Sequence, residues 1–285
     1  MSHDLKPHEV LIKIHAVSLN FRDIAMISNR YPVEVIKQGV PCSDAAATVV
    51  AVGSTVNRVK AGDYVTPSIQ TNFVTGTEKH EDPSGLGGDV DGVLREYAGF
   101  DAKTLTKVPR HLSHEEASTI ACAGVTAWTA LDMGRPLKAE SALVQGAGGV
   151  SMFALIPCIA TGIKPIITSS SDDKLNKIKK LGSRENPVIG INYSKHPDWD
   201  VEAKRLTDGL GVDVVVNNIG ATAMEKSINV LFKRNGTISL VGFLGGMPDQ
   251  SQMPDCVIPI MKKTAKTRYV FVLPLHVVSL LGHQW

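Results

Sequence analysis

Two rhythms of apolar residues divide the chain. In its first third, the short β-branched runs EVLIKIHAV, AAATVVAVG and DYVTPSI are separated by Gly, Pro and Asn, which predicts an antiparallel, barrel-like β domain. From residue 113 onward, apolar strands alternate with helical stretches. SALVQ leads to a helix ending at Gly162, PIITS leads to a helix over DDKLNKIKKLG, and PVIGINY, VDVVVNN, GTISLVGF and RYVFV continue the series. These strands are almost continuously apolar, as strands covered on both faces are, whereas a strand with one wet face alternates. The expected fold class is α/β: a β-rich domain over residues 1–112, a doubly wound parallel sheet over 113–272 and an atypical tail over 273–285. Ser113 and Glu116 mark the change, since each side chain can satisfy a free amide at a helix start, and they predict a helix from His114. The polar, glycine-rich stretch from Thr71 to Asp91 is expected to be a mobile loop.

A chain of 285 residues exceeds the usual size of one domain, which agrees with two. Its 43% hydrophobic and 20% charged residues are those of an ordinary globular protein and exclude disordered or collagen-like classes. The net charge of +2, with both signs mixed along the chain, offers no footprint for a nucleic acid. Cys42, Cys122, Cys158 and Cys256 are widely spaced with no C-x-x-C pair, as expected of reduced thiols in a cytoplasmic protein. The N-terminus has no signal-type apolar core, and Leu143 to Ala160 is interrupted by glycines and Pro157, so no membrane partner is expected.

The chemistry begins at Gly146, Ala147, Gly148, Gly149 and Val150, which follow the strand ALVQ directly and open the next helix. That placement is what a Rossmann dinucleotide turn requires: Gly146 permits the tight turn, Gly148 lets backbone amides approach a pyrophosphate, and the helix start supplies partial positive charge. The third glycine of the fingerprint is replaced by Ser151, which is expected to mean looser packing of helix on strand. At the end of the second strand, NAD enzymes usually carry an acid that binds the ribose 2′-hydroxyl. This chain has Thr168, Ser169, Ser170 and Ser171 instead, with Lys174 beyond. Hydroxyls and an ammonium suit a 2′-phosphate, which favours NADP(H) over NAD(H). The competing reading is that the serines only cap the next helix, and Lys177, Lys179 and Lys180 are read as a solvated face.

The stretches HAVSLNFRD, DGVLREY, LSHEEASTIACAGVTAWTAL, VQGAGGVS, TSSSDDKL, INY and LVGFLGG occur in that order between Glu9 and Val272. They resemble the medium-chain dehydrogenase/reductase superfamily, specifically its zinc-independent, quinone-oxidoreductase-like branch. The resemblance implies a GroES-like β-rich catalytic domain, here partial, followed by a Rossmann domain. It implies that Lys174 and Tyr193 grip the 2′-phosphate end of the cofactor, and that Thr126, Gly242, Phe243 and Leu244 flank the nicotinamide and its ribose. It also shows where zinc-holding members would place their ligands: Asn20 stands for the first cysteine, Ser43 and Asp44 replace a histidine and glutamate pair, and only Cys122 remains. One thiolate cannot hold catalytic zinc, which needs three fixed donors. Four closely spaced cysteines for a structural zinc are absent, and the nine histidines show no H-x-x-x-H spacing, so no metal is expected. Cys122 reads as a small buried residue and His114 as part of a helix start.

Without a Lewis acid, an acceptor must be polarised by hydrogen-bond donors, and quinones or enones, whose reduced anion is delocalised, are the easiest acceptors. The resemblance assigns this pocket to Asn20 and Tyr31, an amide and a phenol suited to donation. Arg22 and Asp23 are expected to form an ion pair that fixes the loop, and no residue presents itself as the general acid. The expected function is NADPH-dependent reduction of a quinone, enone or related carbonyl small molecule without zinc. The alternative is a non-catalytic NADP(H)-binding protein derived from such an enzyme. Against the superfamily pattern, a β-rich segment before EVLIKIHAV and the usual C-terminal return have no counterpart, so truncation at both ends and exposed sheet edges are expected. Pairing through the last Rossmann strand makes a homodimer the expected assembly.

Overall fold

The computed structural model describes residues 5–74, 78, 84–133, 139–232, 234–246 and 256–270. They divide into two compact units, one ending at Val125 and the other beginning at Thr126. The tail over 273–285 lies outside the described residues.

The first unit is built on strands β1 (Glu9–Ser18), β2 (Asp44–Val52), β3 (Tyr64–Pro67), β4 (Tyr97–Asp101) and β5 (Leu105–Lys107). They form one antiparallel sheet in the order β4-β1-β2-β3-β5. The three β-branched runs are its centre, and one face packs Val10, Ile12, Val49, Val65, Phe100 and Leu105 into a core. Pairing of Val10 with Val52 through to Ser18 with Asp44 delivers the start of β2 to the end of β1. There helix α1 (Phe21–Ile27) begins, with Asn20 as its N-cap.

The second part of the Thr71–Asp91 stretch is fastened to the segment that follows β3, contrary to the expected mobile loop. Gln70 bridges Gly85, the Leu86 amide donates to the Ile69 carbonyl at 2.9 Å, and Leu86 is buried. Residues 75–77 and 79–83 lie outside the described residues. Helix α2 (His114–Ser118) starts where the capping box predicts, with reciprocal Ser113–Glu116 bonds of 2.9 and 3.1 Å. A π-helical turn, Ile120–Gly124, leads from it into α3 (Val125–Ala130).

The second unit carries all six expected strands: β6 (Ser141–Val144), β7 (Lys164–Ser169), β8 (Ile189–Asn192), β9 (Val214–Asn217), β10 (Thr237–Leu240) and β11 (Lys266–Tyr269). They pair in parallel in the order β11-β10-β9-β6-β7-β8, the doubly wound arrangement of a Rossmann sheet. Leu143, Val144, Ile166, Ile167, Val215, Val216 and Ile238 are at most 1% exposed, and each buried side chain of this size contributes roughly 1.5–3 kcal/mol. Helices α4 (Gly149–Thr161), α5 (Asp172–Lys179), α6 (Trp199–Arg205), α7 (Met224–Val230) and α8 (Val257–Lys262) complete the unit. Helix α4 ends at Gly162, whose φ of +79° makes a left-handed cap. No described helix is long and apolar enough to cross a membrane.

Candidate functional site

The parallel register levels the carboxyl ends of the central strands. Val144 lies opposite Ile167 and Val216, so Gln145, Thr168 and Asn217 emerge side by side. This is the switch point of the sheet, where open α/β folds bind their ligands. Gly146 turns the chain there at φ +80°, a conformation that penalises any residue with a Cβ. Gly148 is a different case. Its φ of −92° and ψ of −172° suit any residue, and a Cβ placed on it meets no other atom within 4 Å. The protein's own packing does not need glycine at 148, which leaves the backbone there open to close approach. Helix α4 begins at Gly149, so its free amides and the positive end of its dipole face the same place. Ala147 and Val150 anchor the turn from either side, each packed against a different apolar cluster.

Beneath the turn lies a buried polar layer. The Ser151 hydroxyl donates to the Gln145 carbonyl at 3.0 Å, and the Asn218 amide donates to that carbonyl at 2.8 Å and to the Ser151 hydroxyl at 3.0 Å. The Gly146 N–H donates to the Thr168 hydroxyl at 3.1 Å. Looser packing at the third fingerprint position, expected from the sequence, is not what is found. Ser151 is only 2% exposed and is bonded on two sides.

At the end of β7, the Ser171 hydroxyl caps α5 by accepting the Lys174 N–H at 3.3 Å, and the buried Ser169 hydroxyl accepts the Ser171 N–H at 3.2 Å. Helix capping therefore accounts for Ser171. Ser170 and the Lys174 side chain are exposed. Tyr193, exposed at the end of β8, donates its N–H to the Ser169 carbonyl at 3.0 Å. The first carboxylate beyond the strand, Asp172, is engaged by the Asn192 amide at 2.7 Å and by Lys195 at 2.5 Å. These partners hold its pKa below the usual range. Thr126 is buried in α3. The Val241 and Gly242 amides donate to the Asn217 carbonyl at 2.9 and 3.4 Å, and the Leu244 amide donates to the Asn218 carbonyl at 3.2 Å. A Cβ on Gly242 would lie 2.7 Å from the Asn218 oxygen, so glycine is required there. Phe243 is half-buried and Leu244 exposed.

In the first unit, Asn20, Asp44 and Cys122 come together. The Asn20 side chain donates to Asp44 Oδ2 at 3.3 Å and to the Ser18 carbonyl at 3.4 Å, and the Cys122 N–H donates to Asp44 Oδ1 at 3.2 Å. Asp44 is fully buried, and burial pushes its carboxyl up to about 7. Burial likewise pushes the Cys122 thiol up to about 12. The expected Arg22–Asp23 ion pair is replaced by separate attachments. Arg22 donates to the Leu86 carbonyl at 2.8 Å and lies 5.8 Å from the centre of the Tyr31 ring, while Asp23 accepts the Asn20 N–H at 2.7 Å.

Residues 6–110 match the alcohol dehydrogenase GroES-like domain family, and residues 149–273 match the zinc-binding dehydrogenase family. A zinc-type alcohol dehydrogenase-like protein of Schizosaccharomyces pombe is 37% identical over 272 residues, covering 94% of this chain and 77% of the relative. The chain belongs to the medium-chain dehydrogenase/reductase superfamily. Its two units are the GroES-like and Rossmann folds of that superfamily, which places it among NAD(P)-dependent oxidoreductases. A solved structure from Sinorhizobium meliloti 1021, assigned as an alcohol dehydrogenase, shares 31% identity at a TM-score of 0.84 over 98% of this chain and 80% of that one. The fold is also that of Escherichia coli quinone oxidoreductase, solved in complex with NADPH, at a TM-score of 0.74 and 24% identity, over 95% of this chain and 75% of that one.

The family description names zinc, and the residues at the ligand positions do not fit it. Asn20 offers an amide, both Asp44 oxygens accept hydrogen bonds from within the fold, and Cys122 alone supplies a thiol, where catalytic zinc needs three fixed donors. Among the described residues, no three His, Cys, Asp or Glu side chains are grouped to hold a metal ion. Two features of the site were not anticipated from the sequence: the Gln145–Ser151–Asn218 layer and the contact of Asp44 with Asn20. The signal for the first was available, since Asn217, the last residue of β9, and Asn218 directly follow the apolar run Val214 to Val216 at the level of the glycine turn.

Proposed function

We propose that the protein is an NADPH-dependent, zinc-independent oxidoreductase that reduces a quinone, enone or related conjugated carbonyl. The observation that carries this reading is Gly148, a glycine at the switch point that the fold does not need and a bound pyrophosphate would. The preference for NADPH rests on Ser170, exposed just beyond β7, and Lys174, exposed in the first turn of α5, while Asp172 is already engaged by Asn192 and Lys195. Ser169 and Tyr193 frame that position through their mutual backbone bond. Thr126 and the Gly242–Phe243–Leu244 segment are assigned to the nicotinamide side.

When bound, NADPH supplies a hydride to the ring or β-carbon of the acceptor. The protein's part is to hold the acceptor oxygen as negative charge develops on it, with the Tyr31 phenol and the Asn20 amide as donors and water as the proton source. Such a reductase, acting on small molecules in a reducing cytoplasm, agrees with Cys42, Cys122 and Cys158 standing outside any disulfide. A homodimer paired through β11 is the proposed assembly.

A second reading, NADP(H) binding without turnover, is favoured by one observation. Both N–H bonds of the Asn20 amide are already directed at Ser18 and Asp44, so donation to a substrate requires an exchange of partners. Purified protein incubated with NADPH and a panel of quinones and enones separates the readings. Absorbance loss at the nicotinamide band supports the reductase. Binding of NADPH with no consumption across the panel establishes the second reading instead.

A further inference from the structure

The glycine fingerprint has a serine at its third position, and what surrounds that serine gives it a task. The Gln145 carbonyl accepts from both Ser151 Oγ, at 3.0 Å, and Asn218 Nδ2, at 2.8 Å, while Asn218 Nδ2 uses its other hydrogen on Ser151 Oγ at 3.0 Å. Each donor hydrogen in this ring is used once, and both lone pairs of the carbonyl are occupied. The other side of the same peptide is tied as well, since the Gly146 N–H donates to Thr168. The peptide that opens the turn is therefore fixed at both its polar atoms. Asn218 also reaches in the opposite direction: its main-chain carbonyl accepts the Leu244 N–H at 3.2 Å and lies 2.7 Å from where a Cβ on Gly242 would sit.

Stability alone does not explain an asparagine at this place. The side-chain oxygen of Asn218 is buried without a hydrogen-bond partner, a cost that an apolar side chain of similar volume would not incur. What the amide provides, and an apolar residue cannot, is a fixed orientation of the Gln145–Gly146 peptide and hence of the amides that follow it.

We propose that Ser151 and Asn218 are positioning residues that preorganise the phosphate-binding turn and couple it to the Gly242–Leu244 segment, so that serine at 151 binds the cofactor better than the fingerprint glycine would. The inference rests on the assignment of this turn to a nicotinamide dinucleotide. Restoring the fingerprint with Ser151→Gly removes the hydroxyl from the ring and lowers affinity. The turn contacts the pyrophosphate common to both cofactors, so the loss falls equally on NADPH and NADH and leaves their ratio unchanged. A group acting on the 2′-phosphate would change that ratio.

The test is a fluorescence titration of the full chain with NADPH and with NADH, using wild type, Ser151→Gly, Ser151→Ala, Asn218→Leu and the double variant Ser151→Gly/Asn218→Leu. Ser151→Ala controls for backbone freedom, because it removes only the hydroxyl. The expected result is a loss of about tenfold in affinity for both cofactors in each single serine variant. The double variant should be no weaker than Asn218→Leu alone, because the ring is already broken. Hydrogen exchange at residues 146–152, faster in the variants before any cofactor is added, gives a readout independent of binding. The inference is overturned if Ser151→Gly binds as tightly as wild type, or if the losses multiply in the double variant. Should the wild type bind neither cofactor, the assignment of the turn itself fails, and the inference fails with it.

Discussion

Gly146 and Gly148 lie two residues apart and are glycine for different physical reasons. At Gly146 the backbone demands it, since φ is +80°. Gly146→Ala is therefore expected to cost about 1–2 kcal/mol of stability, read from urea unfolding. At Gly148 the backbone is ordinary and the space beside it open. Gly148→Ala should leave the unfolding free energy within about 1 kcal/mol of wild type, yet weaken NADPH binding by at least about tenfold. Equal effects on stability and binding at both positions would contradict the distinction. Asp44 makes a separate prediction. Its carboxyl titrates near 7 in the folded chain because of burial and near 4 when unfolded, so between those values the folded state holds the extra proton. Stability then falls as pH rises from about 4 to about 7, and Asp44→Asn should remove that fall. Urea midpoints across this range check it, and an unchanged slope in the variant would assign the pH dependence elsewhere.

Among the elements, the β-branched runs and the apolar parallel strands were legible because burial imposes a period on them. The two edge strands of the first sheet were not. β4 contains Gly99 within YAGFD, and β5 is three residues long, so neither carries enough pattern to announce a strand. The π-helical turn at Ile120–Gly124 was equally silent, because IACAG is a run of small and apolar residues without a period, yet it directs the Cys122 N–H at Asp44. The start of α2 was legible from Ser113 and Glu116, whose reciprocal bonds are both made. Ser113→Ala should lower stability by about 1 kcal/mol in urea unfolding, with the slope of the transition unchanged. A loss below a few tenths of a kcal/mol would mean that tertiary packing alone holds the helix.

For the whole molecule, alternation of strand and helix was enough to foresee the six-stranded sheet, and the order of short motifs was enough to foresee the superfamily. The site was legible where chemistry is local, as in the glycine turn after β6. The buried polar layer beneath that turn was hidden, because its residues meet only through the register of the sheet. Ser151 could be seen as a departure from the fingerprint, but its partner Asn218 lies 67 positions away along the chain. We propose that the second unit holds NADPH on that turn, distinguished from NADH by Ser170 beyond the end of β7 and Lys174 in the first turn of α5. Its most direct test is a titration of the purified chain with NADPH and NADH, followed by nicotinamide fluorescence. Saturable binding of both is expected, with NADPH tighter by at least about tenfold and that advantage lost in Lys174→Ala. Tighter binding of NADH, or no binding of either, would contradict it.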